Sequence, residues 1–237
     1  MQVRSKRRPE GRIPTLDPGL TQGLAKHVQE ALREAIIAGR FAPGEKLNER
    51  QLAAELGVST TPVKEALQRL QIDGLVRIEP RRGIYAKFDA RQASEMSMAR
   101  AALESMIARQ AANNASEKDI ESLEQAVERM GEATRKGNVA KLIALNKDFH
   151  DLIQRASGCT YLVSLQEGLH IYERLTRAAL LGSAAERERV LREHKAIAVA
   201  IGARDPDRAE RAMRDHVIRS GHQHIRLAFG ENGEFKR

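Results

Sequence analysis

The chain has 237 residues, of which 30% are charged, only 3% are aromatic and none is tryptophan. A core built without large aromatic side chains must consist of Leu, Ile, Val, Ala and Met, which favours amphipathic helices over a β-sandwich. The net charge of +8 favours a polyanionic partner. The basic excess is denser in residues 1–90, with 16 Lys and Arg against 11 Asp and Glu, than in the remainder, with 24 against 21.

Cysteine usage and hydropathy predict the compartment. The single cysteine, Cys159, excludes an internal disulfide and indicates a reducing environment. No apolar run approaches the roughly 20 residues needed to span a bilayer, and none follows the basic N-terminal residues as it would in a signal peptide. We therefore expect a cytoplasmic protein without a membrane partner.

Residues 1–18 are predicted to form a disordered basic arm, because prolines and glycines interrupt them repeatedly. The arm could contact a nucleic-acid backbone or only keep the chain soluble, and the sequence leaves both open. A helix is predicted from about Thr21 to Ala38, with apolar residues on one face.

Residues 47–86 show the pattern of a helix–turn–helix motif followed by a short wing. A first short helix is expected to end at Gly57, since glycine is the preferred C-cap. Ser59 and Thr60 are expected to cap the second helix through their side chains, and Pro62 is tolerated in its first turn. Apolar residues at helical spacing, from Val63 onward, then face inward.

The outer face of this second helix carries Ser59, Thr60, Thr61, Lys64 and Gln68, near the end that enters the major groove in helix–turn–helix proteins. Two β-prone segments, at 77–78 and 83–87, predict a two-stranded wing that carries Arg81, Arg82 and Gly83. A small helical hairpin with a solvated polar face is the alternative interpretation. The basic wing favours DNA binding.

Everything after Arg91 is predicted to be helical. The fold class is therefore mostly α, with an N-terminal winged helix–turn–helix and a C-terminal six-helix antiparallel bundle. Three regions are expected: the arm at 1–18, a DNA-binding domain at 19–88, and an all-helical effector-binding and dimerisation domain at 91–230. The six helices are placed at 91–112, 116–136, 138–157, 160–182, 184–203 and 205–229, with Ser116 and Asp205 as N-caps.

Three histidines and one amide in the predicted bundle suggest a divalent-metal site. Asn146 and His150 are four residues apart on one helix face, and His194 and His216 lie within two other helices. Imidazole ligands suit Zn²⁺ and Ni²⁺. Each histidine taken alone is better explained as a satisfied or exposed side chain.

The polar residues around this set have less defined roles. Asp148 is expected to be solvated, because it lies two residues from His150 on a helix. His27, His222 and His224 are expected on surfaces. Arg100 and Glu104 form an i,i+4 pair, which is either a structural salt bridge or an arginine positioned to bind a ligand carboxylate.

The chain resembles GntR-type bacterial transcription regulators of the FadR-like branch over nearly all of residues 20–228. In the N-terminal half the resemblance depends on Phe41–Gly44, Leu47–Arg50, Val58–Leu67, Leu70, Gly74–Val76 and Arg82–Gly83. In the C-terminal half it depends on Arg100, Leu103–Glu104, Phe149–His150, Ala156–Gly158, Glu193–His194, Ala212 and His216. The short connection at 88–90 and six bundle helices are similar to the smaller VanR-type variant.

The resemblance implies a homodimer that binds a short palindromic operator in double-stranded DNA. Family members contact DNA through positions that match Arg50, Ser59, Thr60, Thr61, Lys64, Arg82 and Gly83. The family usually has arginine where Thr60 and Lys64 stand. Threonine cannot form the bidentate contact of arginine with guanine, and lysine forms it with less geometric definition, so the bases that are recognised are expected to differ.

The resemblance also implies a divalent metal bound by Asn146, His150, His194 and His216, with a small carboxylate effector bound by the metal and an arginine, for which Arg100 is the candidate. Many members have Asp where this chain has Asn146. The asparagine keeps an oxygen ligand but lacks the negative charge of Asp. The predicted function is a DNA-binding regulator, acting as a repressor, whose operator affinity the carboxylate controls.

The sequence leaves two alternatives to this function. A purely structural or absent metal would leave DNA binding without effector control. A metal-dependent hydrolase is disfavoured, because the sequence has no His-Glu-x-x-His motif and Glu193, adjacent to His194, is expected to point elsewhere. Glu104 could serve as a base only if the fold brings it close to the histidines.

Overall fold

The computed structural model describes residues 23–166, Leu169 and residues 180–230. These residues divide into two compact units, one within Met1–Asp89 and Ala228–Arg237 and the other within Ala90–Leu227. The predicted arm at 1–18 lies outside the described residues. No helix in the described part is both long enough and apolar enough to cross a membrane.

The first unit is a winged helix–turn–helix. Its elements in chain order are α1 (Leu24–Ile37), β1 (Lys46–Leu47), α2 (Glu49–Leu56), α3 (Thr60–Ile72), β2 (Val76–Glu79) and β3 (Gly83–Ala86). The strands form an antiparallel sheet in the order β1-β3-β2. The predicted two-stranded wing is therefore incomplete, because β1 adds a third strand that is too short to show an alternating pattern.

The turn between α2 and α3 follows from local chemistry. Asn48 caps α2 by accepting hydrogen bonds from the backbone N–H groups of Arg50 and Gln51, and Gly57 ends the helix in the left-handed region at φ 68°, as predicted. The predicted side-chain cap of α3 is wrong. Ser59 precedes the helix with extended backbone, but its side chain makes no capping hydrogen bond to any described residue.

The buried faces of α2 and α3 pack together as the apolar spacing predicts. The fully or almost fully buried side chains of this core include Leu52, Leu56, Val63, Leu67 and Leu70. Because these side chains alternate with exposed ones at helical spacing, burial of one face leaves the polar face of α3 in solvent.

The second unit is a helical bundle. Its described helices are α4 (Ala90–Asn114), α5 (Glu117–Arg135), α6 (Val139–Ser157), α7 (Thr160–Gln166), α8 (Ala184–Gly202) and α9 (Pro206–Phe229). They confirm the mostly helical fold class. The predicted segment 160–182 extends beyond α7 into residues that are largely outside the described part.

Helix ends in the bundle have the predicted caps. Ser116 forms a capping box with Asp119, and the Asp205 carboxylate accepts a hydrogen bond from the backbone N–H of Arg208. The core between the helices is rich in Ala, Leu and Ile and includes the fully buried Phe149. Buried polar side chains interrupt this core. Those on α4, α6, α8 and α9 include Ser97, Arg100, Glu104, Asn146, His150, His194, His216, Ser220 and His224.

Candidate DNA-binding surface and metal centre

The exposed face of α3 carries most of the predicted DNA-contacting residues of the helix–turn–helix. Ser59, Thr61 and Lys64 are exposed, Thr60 is half-buried, and Arg50 is exposed at the start of α2. The Lys64 Nζ atom lies 3.7 Å from the Glu49 carboxylate. An exposed ion pair of this kind contributes little, so Lys64 can exchange it for a contact with DNA at small cost.

The tip of the wing presents Arg81 and Arg82 to solvent. Arg81 adopts a left-handed conformation at φ 64°. The turn is held by a hydrogen bond from the Arg82 backbone N–H to the Glu79 carbonyl and by another from the Tyr85 hydroxyl to the Arg82 carbonyl, each 3.1 Å long. Gly83 has φ 132°, a conformation that L side chains rarely adopt. The wing therefore projects two guanidinium groups from a defined turn.

Three helices of the bundle bring His150, His194 and His216 together. One ring nitrogen from each lies within 4.8 Å of the others, and all three side chains are buried. The ring centroids are 4.7 Å apart for His194 and His216, and 5.4 and 5.7 Å for His150 with these two. Among the described residues, these three histidines form a cluster that could hold a metal ion.

Asn146 and Asp148, the two candidate oxygen ligands that precede His150 on α6, differ in environment. Asn146 is buried one helical turn before His150, whereas Asp148 is exposed, as its spacing predicts. Phe149 lies against the ring of His194, with centroids 4.6 Å apart. The cluster is therefore enclosed by apolar surface on one side, which excludes water from the ligand atoms.

His216 is held from behind by a carboxylate. Its Nδ1 atom lies 2.8 Å from the Glu193 Oε2 atom. Burial by itself would raise the Glu193 pKa, but His216 and Arg219 outweigh burial and hold this pKa below its ordinary value. The carboxylate is therefore ionised and can only accept, so Nδ1 donates and Nε2 is left for a metal. Glu193 was expected to point elsewhere on its helix, whereas its carboxylate contacts a histidine of the cluster.

A second carboxylate lies behind His150. The Glu104 Oε2 atom is 3.2 Å from the His150 Nδ1 atom. The other oxygen of Glu104 accepts from Arg100, whose Nε and Nη2 atoms lie 3.0 and 2.8 Å away. The Arg100–Glu104 contact is thus a buried ion pair, and the fold brings Glu104 close to the histidines. Sequence reasoning left that placement open.

His224 is also one of the buried polar residues, and its predicted place on the surface is wrong. Burial, and then the positive charge of Arg100, lower its pKa to about 4. The helical spacing of His216, Ser220 and His224 puts all three on one face of α9, and this regularity could have identified it. His222 is exposed, as predicted, and His27 is half-buried.

The donor set fits a divalent cation of the zinc and nickel class. Tetrahedral Zn–N bonds of about 2.0–2.1 Å separate the ligand nitrogens by about 3.4 Å. The observed limit of 4.8 Å is close enough for small side-chain rotations to reach that separation. The His216 pKa is lowered, and burial is the largest of its causes. The imidazole therefore stays neutral, as a metal ligand must be.

Comparison with known proteins gives the same architecture. Residues 24–86 match the model of the bacterial regulatory proteins of the gntR family, and residues 95–219 match the FCD domain. The chain is 31% identical over 198 residues to the HTH-type transcriptional repressor RspR of Escherichia coli, covering 83% of this chain and 87% of that protein. It is 32% identical over 199 residues to a probable D-xylose utilization operon transcriptional repressor of Paenarthrobacter nicotinovorans, covering 82% and 85%.

Among solved structures, E. coli McbR/YncC superimposes with a TM-score of 0.62 at 24% identity, covering 85% of this chain and 96% of that one. At this identity the match supports the fold alone. Together with the two matched family models, which account for most of the chain, the comparisons show that the chain belongs to the GntR family of bacterial regulatory proteins, in the FadR-like branch with an FCD domain, and is a DNA-binding transcriptional regulator, not an enzyme.

Proposed function

We propose that this regulator is a cytoplasmic repressor whose operator affinity is controlled by a small carboxylate bound at a divalent-metal site in the helical unit. The observation that carries the proposal is the buried convergence of His150, His194 and His216. Three neutral imidazoles inside a bundle have no evident structural purpose other than ligation, since apolar side chains would fill the same space at lower desolvation cost.

The metal would be held by these three histidines with Asn146 as a fourth, neutral oxygen ligand. Zn²⁺ or Ni²⁺ suits such a set. The bound ion would supply a Lewis-acidic centre with open positions for a carboxylate oxygen. The protein's part is to hold three imidazoles neutral and oriented and to exclude water, for which Phe149, Glu104 and Glu193 are in place.

Arg100 is the proposed partner of the effector carboxylate. Its guanidinium is buried on α4, and its charge acts on His224 of α9, so a cationic fork lies within the same polar core as the histidines. A planar guanidinium matches a carboxylate better than an ammonium group does. A small carboxylate that reached both the metal and Arg100 would contact α4, α6, α8 and α9 together.

The DNA-contacting residues are proposed to be Arg50, Ser59, Thr60, Thr61, Lys64, Arg81, Arg82 and Gly83. The exposure of the outer face of α3 and of the wing tip supports this set. A short palindromic operator in double-stranded DNA would match the two-fold symmetry of a homodimer. An apolar stripe on α4 supports a dimer through the helical unit, since Met98, Ala102 and Met106 are exposed at i, i+4 and i+8.

Repression, as distinct from activation, is supported by relatives that are named as transcriptional repressors. If the carboxylate weakens operator binding, the operator must weaken carboxylate binding by the same factor, because the coupling free energy is reciprocal.

The test is thermal denaturation of the purified protein against a panel of small carboxylates, before and after chelator treatment with Zn²⁺ or Ni²⁺ added back. We expect stabilisation by a carboxylate only when metal is present, because a ligand that binds the folded state alone raises the unfolding temperature. Absence of any shift with acid or metal would contradict the proposed effector site and leave DNA binding unaffected.

A further inference from the structure

Lys46 of β1 lies between two segments of the winged helix–turn–helix unit that are proposed above to touch DNA. On one side its side chain crosses Gly83 of the wing, where an added Cβ would lie 2.5 Å from Lys46 Cε and 3.2 Å from Nζ. On the other side Lys46 and Arg50 line the same open groove, whose volume is about 550 Å³. Lys46 therefore lies against the wing and borders a groove that it shares with the start of α2.

The strand register places Lys46 on the solvent face of the sheet. Lys46 and Arg77 both pair with Tyr85, so the three side chains form one row across the three strands. The adjacent row points to the opposite face, and its members Leu47 and Ile84 are buried. The exposure of Lys46 is thus imposed by the register of β1 against β3 and does not depend on one rotamer.

The charge of Lys46 is available for an external anion, whereas that of its neighbour Arg77 is engaged. Arg77 lies 2.5 Å from the Glu79 carboxylate and 5.4 Å from the centre of the Tyr85 ring. Within the described part of the chain, no carboxylate lies within ion-pair distance of Lys46. Arg81 and Arg82, in the turn between β2 and β3, and Lys87, directly after β3, are also exposed, so the wing carries further positive charge.

We propose that Lys46 binds a phosphate of the DNA backbone between the wing and α2, and so fixes the wing against the duplex without reading a base. A lysine ammonium is a compact charge that suits a single phosphate oxygen better than the paired acceptors of a base edge. The inference depends on the proposed DNA contacts of Arg50 and Gly83. Neither the helix–turn–helix motif nor the family resemblance assigns a DNA contact to Lys46.

The experiment measures binding of a labelled random-sequence DNA duplex to full-length protein by fluorescence anisotropy, at several salt concentrations between about 50 and 200 mM. The variants are Lys46→Ala, Lys46→Arg and Arg50→Ala, with Lys26→Ala as the control, because Lys26 is an exposed lysine on α1 of the same unit. Circular dichroism and thermal unfolding verify that each variant is folded.

We expect Lys46→Ala to reduce the slope of log affinity against log salt by about 0.9 for each Lys46 that touches a phosphate, or about 1.8 for a dimer. Lys46→Arg should keep the slope, and Lys26→Ala should leave it unchanged. A Lys46→Ala slope equal to that of the wild type, with Arg50→Ala reduced, would overturn this inference alone. Unchanged binding by both Lys46→Ala and Arg50→Ala would overturn the proposed DNA surface as well.

Discussion

The Nδ1 atom of His216 on α9 donates a hydrogen bond to the Glu193 carboxylate on α8, over a distance of 2.8 Å. The carboxylate is held in turn by Arg219, which also lies 2.6 Å from Glu186. His150 has a parallel arrangement, with Glu104 behind its ring and Arg100 behind Glu104. Two of the three histidines thus have a carboxylate at Nδ1, and each carboxylate is in turn held by an arginine.

Replacing Glu193 by Gln is expected to weaken metal binding. The amide keeps a hydrogen-bond acceptor but loses the charge that favours the Nδ1–H tautomer of His216, and loss of such a partner typically costs about 10–100-fold in metal affinity. Competition against a chromogenic chelator measures this affinity. Glu188→Gln is the matched control, because it removes the same charge from an exposed position on α8. Equal affinities for the two variants would contradict the role of Glu193.

Replacing His194 by Ala distinguishes a regulatory metal from a structural one. We expect the variant to lose metal-dependent and carboxylate-dependent stabilisation while it keeps its helical circular dichroism, because the bundle core extends well beyond the cluster. Thermal unfolding with and without Zn²⁺ or Ni²⁺ measures both properties. A variant that is unfolded even in the presence of metal would indicate a structural role.

Sequence patterns predicted the individual helices better than the contacts between them. The periodicity of α3 separated Val63 and Leu67 from Lys64 correctly, since each position depends only on helix geometry. The approach of Glu193 to His216 depends on how α8 crosses α9, which periodicity does not specify. The two residues of β1 were missed because their pairing with β3 is non-local and their length gives no alternation.

The proposed metal ligands were predicted from residue type and from the i,i+4 spacing of Asn146 and His150, and the family resemblance implies the same set of four. The structure brings the three histidines together, as that set requires. His224 was misplaced because its neighbours in sequence are polar or basic, and only its spacing from His216 on α9 indicates burial. Burial of a helix face is decided by the helix opposite, here α4.

Replacing Lys64 by Ala is expected to weaken operator binding by about 1–3 kcal/mol and to relax specificity at one base pair, if Lys64 reads a base. The structure exposes its ammonium group at the outer face of α3, with only a 3.7 Å contact to Glu49. An operator selected from a random library, compared with a scrambled duplex, provides the measurement. Equal losses on both duplexes would assign Lys64 to the phosphate backbone instead.

Replacing Gly221 by Ala is expected to destabilise the helical unit by about 1–3 kcal/mol, the usual cost of overpacking. An added Cβ would lie 2.2 Å from the Ser97 Oγ atom and 2.7 Å from its Cβ atom, so α9 or α4 must shift.

Gly131→Ala is the matched control, because the nearest atom to its Cβ is 3.7 Å away. That variant should be stabilised by up to about 1 kcal/mol through helix propensity. Chemical denaturation of both variants compares the two positions, and a stabilised Gly221→Ala protein would contradict the close packing of α9 on α4.

Burial of His224 predicts a loss of stability in mild acid. Its folded pKa is about 4, below the ordinary value of 6.5, so the unfolded chain takes up a proton first as the pH falls. The folding stability that is linked to neutral His224 is therefore fully present above about pH 6.5. It is lost progressively between about pH 6.5 and 4, to a total of about 3 kcal/mol. Urea unfolding of chelator-treated wild type and His224→Leu at several pH values isolates this residue from His216. The His224→Leu variant should lose less stability than the wild type over this pH range. The control His222→Leu, at an exposed position, should follow the wild type. Parallel curves for all three proteins would mean that His224 is not held neutral in the fold.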